Sequence, residues 1–283
     1  MRGPSSLQGR THVIVFENVG FRYPGARTAA LEAVSVSVRP AELVALLGPN
    51  GSGKSTLVRL SNALLSPTSG RVTVDGMDTA DEDAVWDIRE RVGFIQQNPE
   101  NQIVGTIAEE DVAFGPENLG VAPAEIRVRV DEALEAVGLA GFQRREPHML
   151  SEGQKQRLAI AGALAMRPAY LVADEPTAML DPVGRADVLR ALRGLRHQGV
   201  GVLHVTHHLE DVLDADRVLV LASGAVAFDG TPGELVGDPE RALCLGIELP
   251  AEVLLADALR RGGVRVPAGH PSAEEIAEAL CLS

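Results

Sequence analysis

The chain has 283 residues, 45% of them hydrophobic, which is enough for one large folded unit with an appendage. Its net charge of −13 argues against a protein devoted to a nucleic-acid backbone, which calls for a basic stripe. Two cysteines, Cys244 and Cys281, make no disulfide framework and have no metal-ligand spacing, and no apolar run approaches the ~20 residues of a membrane span.

Residues 1–10 lack a signal-peptide apolar core and read as a loose tail, so the expectation is a soluble protein or one held to a membrane through a partner. His12 to Val19 and Glu32 to Val38 alternate apolar and polar residues, as half-buried strands do. The turn between them, Phe21-Arg-Tyr-Pro-Gly25, carries Tyr23, which is either a core plug or a platform for an adenine ring. Stacking of a base on an aromatic is worth about 1–3 kcal/mol in nucleic-acid systems.

The apolar run Leu43 to Leu47 leads into Gly48-Pro49-Asn50-Gly51-Ser52-Gly53-Lys54-Ser55, and Thr56 to Leu65 follows with helical spacing of its leucines. Strand, Gly-rich loop and helix around G-x-x-x-x-G-K-[ST] is the context of a phosphate-binding loop. Its glycines let successive N–H groups converge on phosphate oxygens, and the helix aims its positive dipole end at the same anion. Lys54 would reach the β- and γ-phosphates, and the Ser55 hydroxyl would ligate Mg²⁺.

Arg71 to Asp75 reads as a strand, Asp83 to Arg91 as a helix, and Val92 to Ile95 as another strand. Gln96-Gln97-Asn98-Pro99 breaks that pattern and is either a plain polar loop or part of a ligand site at a strand's carboxyl end. Helices are expected over Ile107 to Val112, Pro123 to Val137 and Glu152 to Met166. The last opens on Ser151 and Gln154, a capping box by spacing, while Ser151 and the Gly153 amide could also present a helix N-terminus to a phosphate.

Ala169 to Ala173 is an apolar strand ending in Asp174 and Glu175. Two acids there are costly unless they meet a cation or a reacting group. Beside a phosphate loop, Asp174 is the expected Mg²⁺ partner and Glu175 is placed to polarise a water. A helix over Pro182 to His197 would turn Val183, Val188, Leu189, Leu192 and Leu195 inward. Strand Gly201 to Val205 precedes Thr206-His207-His208, where a histidine contacting the γ-phosphate is favoured over a three-histidine metal site with His204. A hairpin (217–221, 225–229) and a short helix at Thr231 to Leu235 follow. The last segments place Val253, Leu254, Ala258 and Leu259 on one helical face, and Ile276 and Leu280 on another.

Together these motifs, from about Tyr23 to Glu234, resemble the ATP-binding subunits of ABC transporters. The resemblance implies an α/β P-loop NTPase fold. Its core would be a mostly parallel sheet with antiparallel N-terminal strands, spanning 11–236, with a helical signature subdomain at about 98–166 and a C-terminal helical extension at 237–283. It implies that Gly48 to Thr56 bind ATP, that Asp174 with Ser55 and Gln97 holds Mg²⁺, and that Glu175 is the catalytic base. Gln97 matches the Q-loop glutamine, His207 the switch histidine and Asp181 the D-loop aspartate. Tyr23 becomes the adenine-stacking aromatic, and Ser151, Gly153 and Gln154 become signature residues for the ATP of a partner chain. Glu152 departs from the pattern, replacing the usual first glycine of the signature and putting a carboxylate near the phosphates.

A narrower resemblance, to energy-coupling factor (ECF) ATPases of vitamin and transition-metal uptake, rests on five stretches: Gln97 to Val104, Glu109 to Gly120, Ala161 to Pro168, Thr177 to Pro182 and Leu245 to Pro250. With Gly153 to Arg157, the chain is more similar to the first of that family's paired ATPases. The resemblance implies a homo- or heterodimer of ATPase subunits on the cytoplasmic face of the cell membrane. A transmembrane scaffold would be gripped near Gln97, and a separate component would bind the substrate. The alternatives are a conventional ABC importer ATPase, or a soluble ABC-type ATPase of ribosomes or DNA. The latter typically carries a tandem cassette, a coiled-coil insert or a basic surface, none of which is seen in the sequence.

Overall fold

The computed structural model describes residues 13–267 and 269–281. The expected tail at 1–10 and the His12 start of the first strand lie outside them. An antiparallel sheet of β1 (Ile14–Phe21), β2 (Leu31–Val38), β4 (Ser69–Val74) and β5 (Met77–Asp78) runs in the order β2-β1-β4-β5. The second sheet contains β3 (Leu43–Leu47), β6 (Val92–Ile95), β7 (Tyr170–Asp174), β8 (Gly201–Val205), β9 (Arg217–Ala222) and β10 (Ala225–Gly230). Its order is β10-β9-β3-β8-β7-β6, parallel except for the β10 hairpin.

Strands β3, β7 and β8 are buried at every position, as expected of a parallel sheet covered on both faces. Alternation divides their side chains. Leu43, Ala45 and Leu47 enter one apolar cluster, with α3 (Ala108–Asn118), α4 (Pro123–Ala136), α5 (Glu152–Ala165) and α6 (Pro182–His197). Val44 and Leu46 enter the other, with the antiparallel sheet, α1 (Lys54–Ser61) and Ile88 of α2 (Val85–Arg91). Between them the two clusters sandwich the parallel sheet, so the ends of its strands are held rigidly.

Three expectations need correction. Helix α1 stops at Ser61 instead of reaching Leu65, because Ala63 takes a left-handed conformation (φ 54°) that no helix continues through. Val183 is 72% exposed, not inward, since it lies in the first turn of α6 ahead of the stretch that packs on the sheet. After α7 (Pro232–Val236) and α8 (Pro239–Cys244), α9 (Ala251–Arg261) buries Val253 and Ala256 while Leu254 and Ala258 face outward. The face is therefore rotated by about one residue from the expected one. The final helix, α10 (Ala273–Cys281), buries Ile276 and leaves Leu280 exposed. Among the described residues, no helix is long and apolar enough to cross a membrane.

Candidate nucleotide-binding site

The loops at the carboxyl ends of β3, β6, β7 and β8 meet at one edge of the parallel sheet, where open α/β sheets bind ligands. The loop after β3 needs its glycines for two different reasons. Gly48 (φ 142°) and Gly53 (φ 103°) are closed in, so that a Cβ would strike the Leu221 carbonyl at the first and the Ala30 carbonyl, at 2.5 Å, at the second. Gly51 has open space around it and is needed only for its φ of 80°. Gly53 is also the N-cap of α1 and supplies no side-chain cap, which leaves the helix's first N–H groups available to an anion.

Lys54 is almost fully buried, its ammonium donating to the carbonyls of Gly48 at 2.8 Å and Pro49 at 3.3 Å. Burial pulls its pKa down, opposed by the fields of Glu175 and Asp174. Ser52 Oγ is buried with no hydrogen-bond partner. A cradle with an under-compensated cation, an orphaned hydroxyl and an uncapped helix start fits a phosphate group.

Ser55 donates its hydroxyl to Asp174 Oδ1 at 3.1 Å. Burial raises the Asp174 pKa, against the lowering effects of Ser55, Arg59 and Lys54. Hydroxyl and carboxylate oxygens are what a Mg²⁺ ion takes from a protein when phosphates and waters complete its shell. Among the described residues no group of three His, Cys, Asp or Glu is arranged to hold a metal, which removes the three-histidine alternative. His204 is instead fully buried within β8, and burial brings its pKa down to about 4.

Glu175 stands at the centre of the polar mouth. Gln97 Nε2 donates to its Oε2 at 3.5 Å, and His207 Nδ1 lies 3.8 Å from its Oε1. Its backbone is left-handed (φ 50°), with the N–H donated to the Val205 carbonyl at 3.0 Å. That strained turn, costing on the order of 1–3 kcal/mol, keeps the side chain out of the sheet and at the mouth. Tyr23 donates to or accepts from Thr56 Oγ1 at 3.1 Å, while its ring rests edge-on against Phe21 and is 39% exposed. A tyrosine anchored to the loop's helix and exposed to this degree is not a core plug.

Ser151, Gly153, Gln154 and Asp181 form a separate constellation. Ser151 and Gln154 make the complete capping box of α5. Asp181 caps α6, accepting from the Gly184 N–H at 2.7 Å. Gly153 must be glycine for packing, because a Cβ there would lie 2.9 Å from Gly184 Cα. None of the hydrogen bonds described for these four residues reaches the Gly48–Ser55 loop. Sequence reading passed over Lys155, which bonds Glu152 at 2.9 Å and Glu100 at 2.5 Å and so neutralises the Glu152 carboxylate. The Glu152-x-x-Lys155 spacing was the available signal.

The sequence model of the ABC transporter family matches residues 31–178. An energy-coupling factor transporter ATP-binding protein, EcfA1 of Symbiobacterium thermophilum, is 54% identical over 95% of this chain and 96% of its own length. The chain belongs to the ECF ATP-binding proteins of the ABC transporter family. A cobalt import ATP-binding protein, CbiO of Syntrophus aciditrophicus, is 48% identical over 90% of this chain and 91% of its own. The solved structure of cbiO1 from Clostridium perfringens, part of the ABC transporter complex cbiONQ, matches with a TM-score of 0.76 and 34% identity over 87% of this chain and 99% of its own. A dimeric ATP-binding cassette, MJ0796, in a post-hydrolysis state with ADP and Pi, matches with a TM-score of 0.69 and 32% identity over 77% of this chain and 98% of its own.

As an ECF ATPase, the chain binds ATP and couples its hydrolysis to import. Its fold is the ABC cassette, with a mostly parallel sheet beside an antiparallel one, as the sequence led one to expect. Membership of the ECF group also decides between the importer readings and the soluble one.

Proposed function

We propose that this ECF ATPase hydrolyses Mg²⁺-ATP in a site shared between two ATPase subunits, with Glu175 as the general base. The observation that carries the proposal is the convergence of Gln97 and His207 on Glu175 beside the phosphate loop. Gly48, Pro49, Asn50, Gly51, Ser52 and Gly53 wrap the phosphates, while Lys54 moves its ammonium from the loop carbonyls to the phosphate oxygens. Thr56 and Tyr23 hold the adenine side. Bound between Ser55, Asp174 and Gln97, the Mg²⁺ ion would neutralise charge on the phosphates. Glu175 accepts a proton from the attacking water, Gln97 orients that water, and His207 donates to the γ-phosphate.

Ser151, Gly153 and Gln154 act on the ATP of the opposing subunit, a reading supported by their hydrogen bonds lying apart from the loop of their own chain, and Asp181 serves the nucleotide site as the D-loop aspartate. The opposing cassette is a second ATPase, identical or paired. The dimeric cassette with ADP and Pi supports such an arrangement by likeness. The exposed Leu243, Leu254 and Leu255 of the segment after residue 237 support its role as a subunit contact. An apolar groove of about 310 Å³, lined by Trp86, Phe94, Val104, Phe114 and Met166, supports docking of a transmembrane scaffold. The scaffold would hold the chain at the cytoplasmic membrane face and pass motion from the 98–166 helical subdomain to a substrate-binding component. A vitamin or a transition-metal ion is the cargo class; the cobalt import relative favours the metal.

Purification from detergent-solubilised membranes should bring down a second ATPase and membrane subunits. The assembly should release phosphate from ATP in a Mg²⁺-dependent way. Glu175→Gln should keep the assembly and lose the hydrolysis. Recovery of the chain alone, with no hydrolysis on adding Mg²⁺-ATP, would remove the proposal.

A further inference from the structure

The contacts that gather the catalytic mouth are long. At 3.5 Å from Gln97 and 3.8 Å from His207, neither partner of Glu175 is close enough to hold the group in register by itself. Something behind them must do so. Glu175 and Asp181 open and close the one loop between β7 and α6, while His207 follows β8, and side chains from that loop, from α6 and from the turn after His207 meet at one place. Thr177, two residues after Glu175, donates its hydroxyl to Asp211 Oδ2 at 3.2 Å. Arg185, whose N–H donates to the Asp181 carbonyl at 2.9 Å, gives its Nε to Asp211 Oδ1 at 2.7 Å. Asp211 itself lies four residues after His207, in a short 3₁₀ turn (Leu209–Val212).

We infer that Asp211 is a positioning residue that locks the segments of Glu175, Asp181 and His207 to one another and so sets the geometry in which ATP is hydrolysed. Both Asp211 and Thr177 are 4% exposed, and each oxygen of the carboxylate has its own donor. A buried carboxylate is expensive, and a whole buried ion pair can often be replaced by apolar residues without loss of stability, whereas removing Asp211 alone leaves Arg185 unpaired. What the charge adds is direction: two fixed bonds, one from the β7–α6 loop and one from α6, which apolar packing cannot specify. His204, in the strand beneath, stays neutral because burial lowers its pKa, so it does not compete with Arg185 for the carboxylate. The phosphate loop makes no described hydrogen bond to this cluster, so ATP affinity and turnover should separate when it is disturbed.

The inference rests on the reading of Glu175 and His207 as acting on the γ-phosphate. The test uses the full-length chain co-purified with its transporter partners, with nucleotide affinity and steady-state hydrolysis measured on each variant. Asp211→Ala should lower kcat by about 10- to 100-fold, with ATP affinity unchanged. Asp211→Asn, which can still accept from Arg185 and meet the Thr177 hydroxyl, should recover most of that loss. The near-isosteric Thr177→Val carries the same test if Asp211→Ala does not fold: it should lower kcat alone, and no further in an Asp211→Asn background than that pair's coupling allows. Wild-type kcat in Thr177→Val and in any folded Asp211→Ala would overturn the inference. A parallel loss of affinity, turnover and melting temperature would also overturn it, as the mark of a merely structural role. Glu175→Gln is the control: if it hydrolyses normally, the reading of the catalytic mouth fails as well, whereas slow Glu175→Gln with normal Thr177→Val condemns only the role of Asp211.

Discussion

Ser55 donates to Asp174 at 3.1 Å across 119 residues of sequence, joining the end of the phosphate loop to the tip of β7. The same strand tip is followed directly by Glu175, so the carboxylate bonded to the loop and the carboxylate proposed as the base are neighbours in the chain.

Lys54 is the buried charge of the loop, and its burial cost is only partly offset by the Gly48 and Pro49 carbonyls and by the nearby acids. Lys54→Ala should therefore weaken nucleotide binding and cut hydrolysis by about 10²–10³-fold, the scale for losing one preorganised donor to developing charge. Equilibrium binding of a fluorescent ATP analogue, together with phosphate release, reads both. Unchanged turnover would reject the loop's assignment.

Glu175→Gln keeps the side-chain shape and removes the basic oxygen. A loss of about 10²–10⁴-fold in hydrolysis is expected, with ATP still bound and the closed dimer longer-lived on size-exclusion chromatography. Turnover at the normal rate would take the base role away from Glu175.

Tyr23→Ala removes the ring that stands open beside Thr56. Loss of stacking worth about 1–3 kcal/mol corresponds to a Kd for ATP raised by roughly 5- to 150-fold. Titration calorimetry measures it directly, and an unaltered Kd would mean that the adenine sits elsewhere.

Lys155 is the counter-charge of Glu152 and Glu100. Lys155→Ala leaves the signature carboxylate bare at the N-terminus of α5. ATP-dependent dimerisation should weaken, and additional removal of the carboxylate in Glu152→Gly should restore it. The double variant associating no better than Lys155→Ala would count against this reading of the pair.

His204 supplies a pH dependence with a definite sign. Its folded pKa is about 4, below the ordinary 6.5, because of burial. As pH falls from 6.5 to 4, the unfolded chain takes up a proton that the folded chain refuses, so stability is lost across that window and is whole above it. The loss totals about 3 kcal/mol. Urea midpoints at pH 7 and pH 5 should therefore converge in His204→Leu relative to the natural chain. An equally steep decline in the variant would place the titration on another group.

By itself, the sequence determined which chemistry this chain carries. The loop from Gly48 to Ser55, the acids at 174 and 175 and the histidine at 207 are local patterns whose strand or loop context is written in adjacent residues, because backbone approach to phosphate demands glycine and buried strands demand apolar runs. Only the tertiary structure decided what those groups do to one another. That the Tyr23 hydroxyl reaches Thr56, that Lys155 covers Glu152 and Glu100, and that Asp211 ties Thr177 to Arg185 all depend on contacts between segments far apart in the chain. Exposure followed the same division. Periodicity says that α6 and α9 have apolar faces, but the outward turn of Val183 and the rotation that buries Ala256 and not Leu254 come from where each helix meets the sheet and its neighbours. Helical spacing defines a stripe; packing alone selects which part of it leaves water.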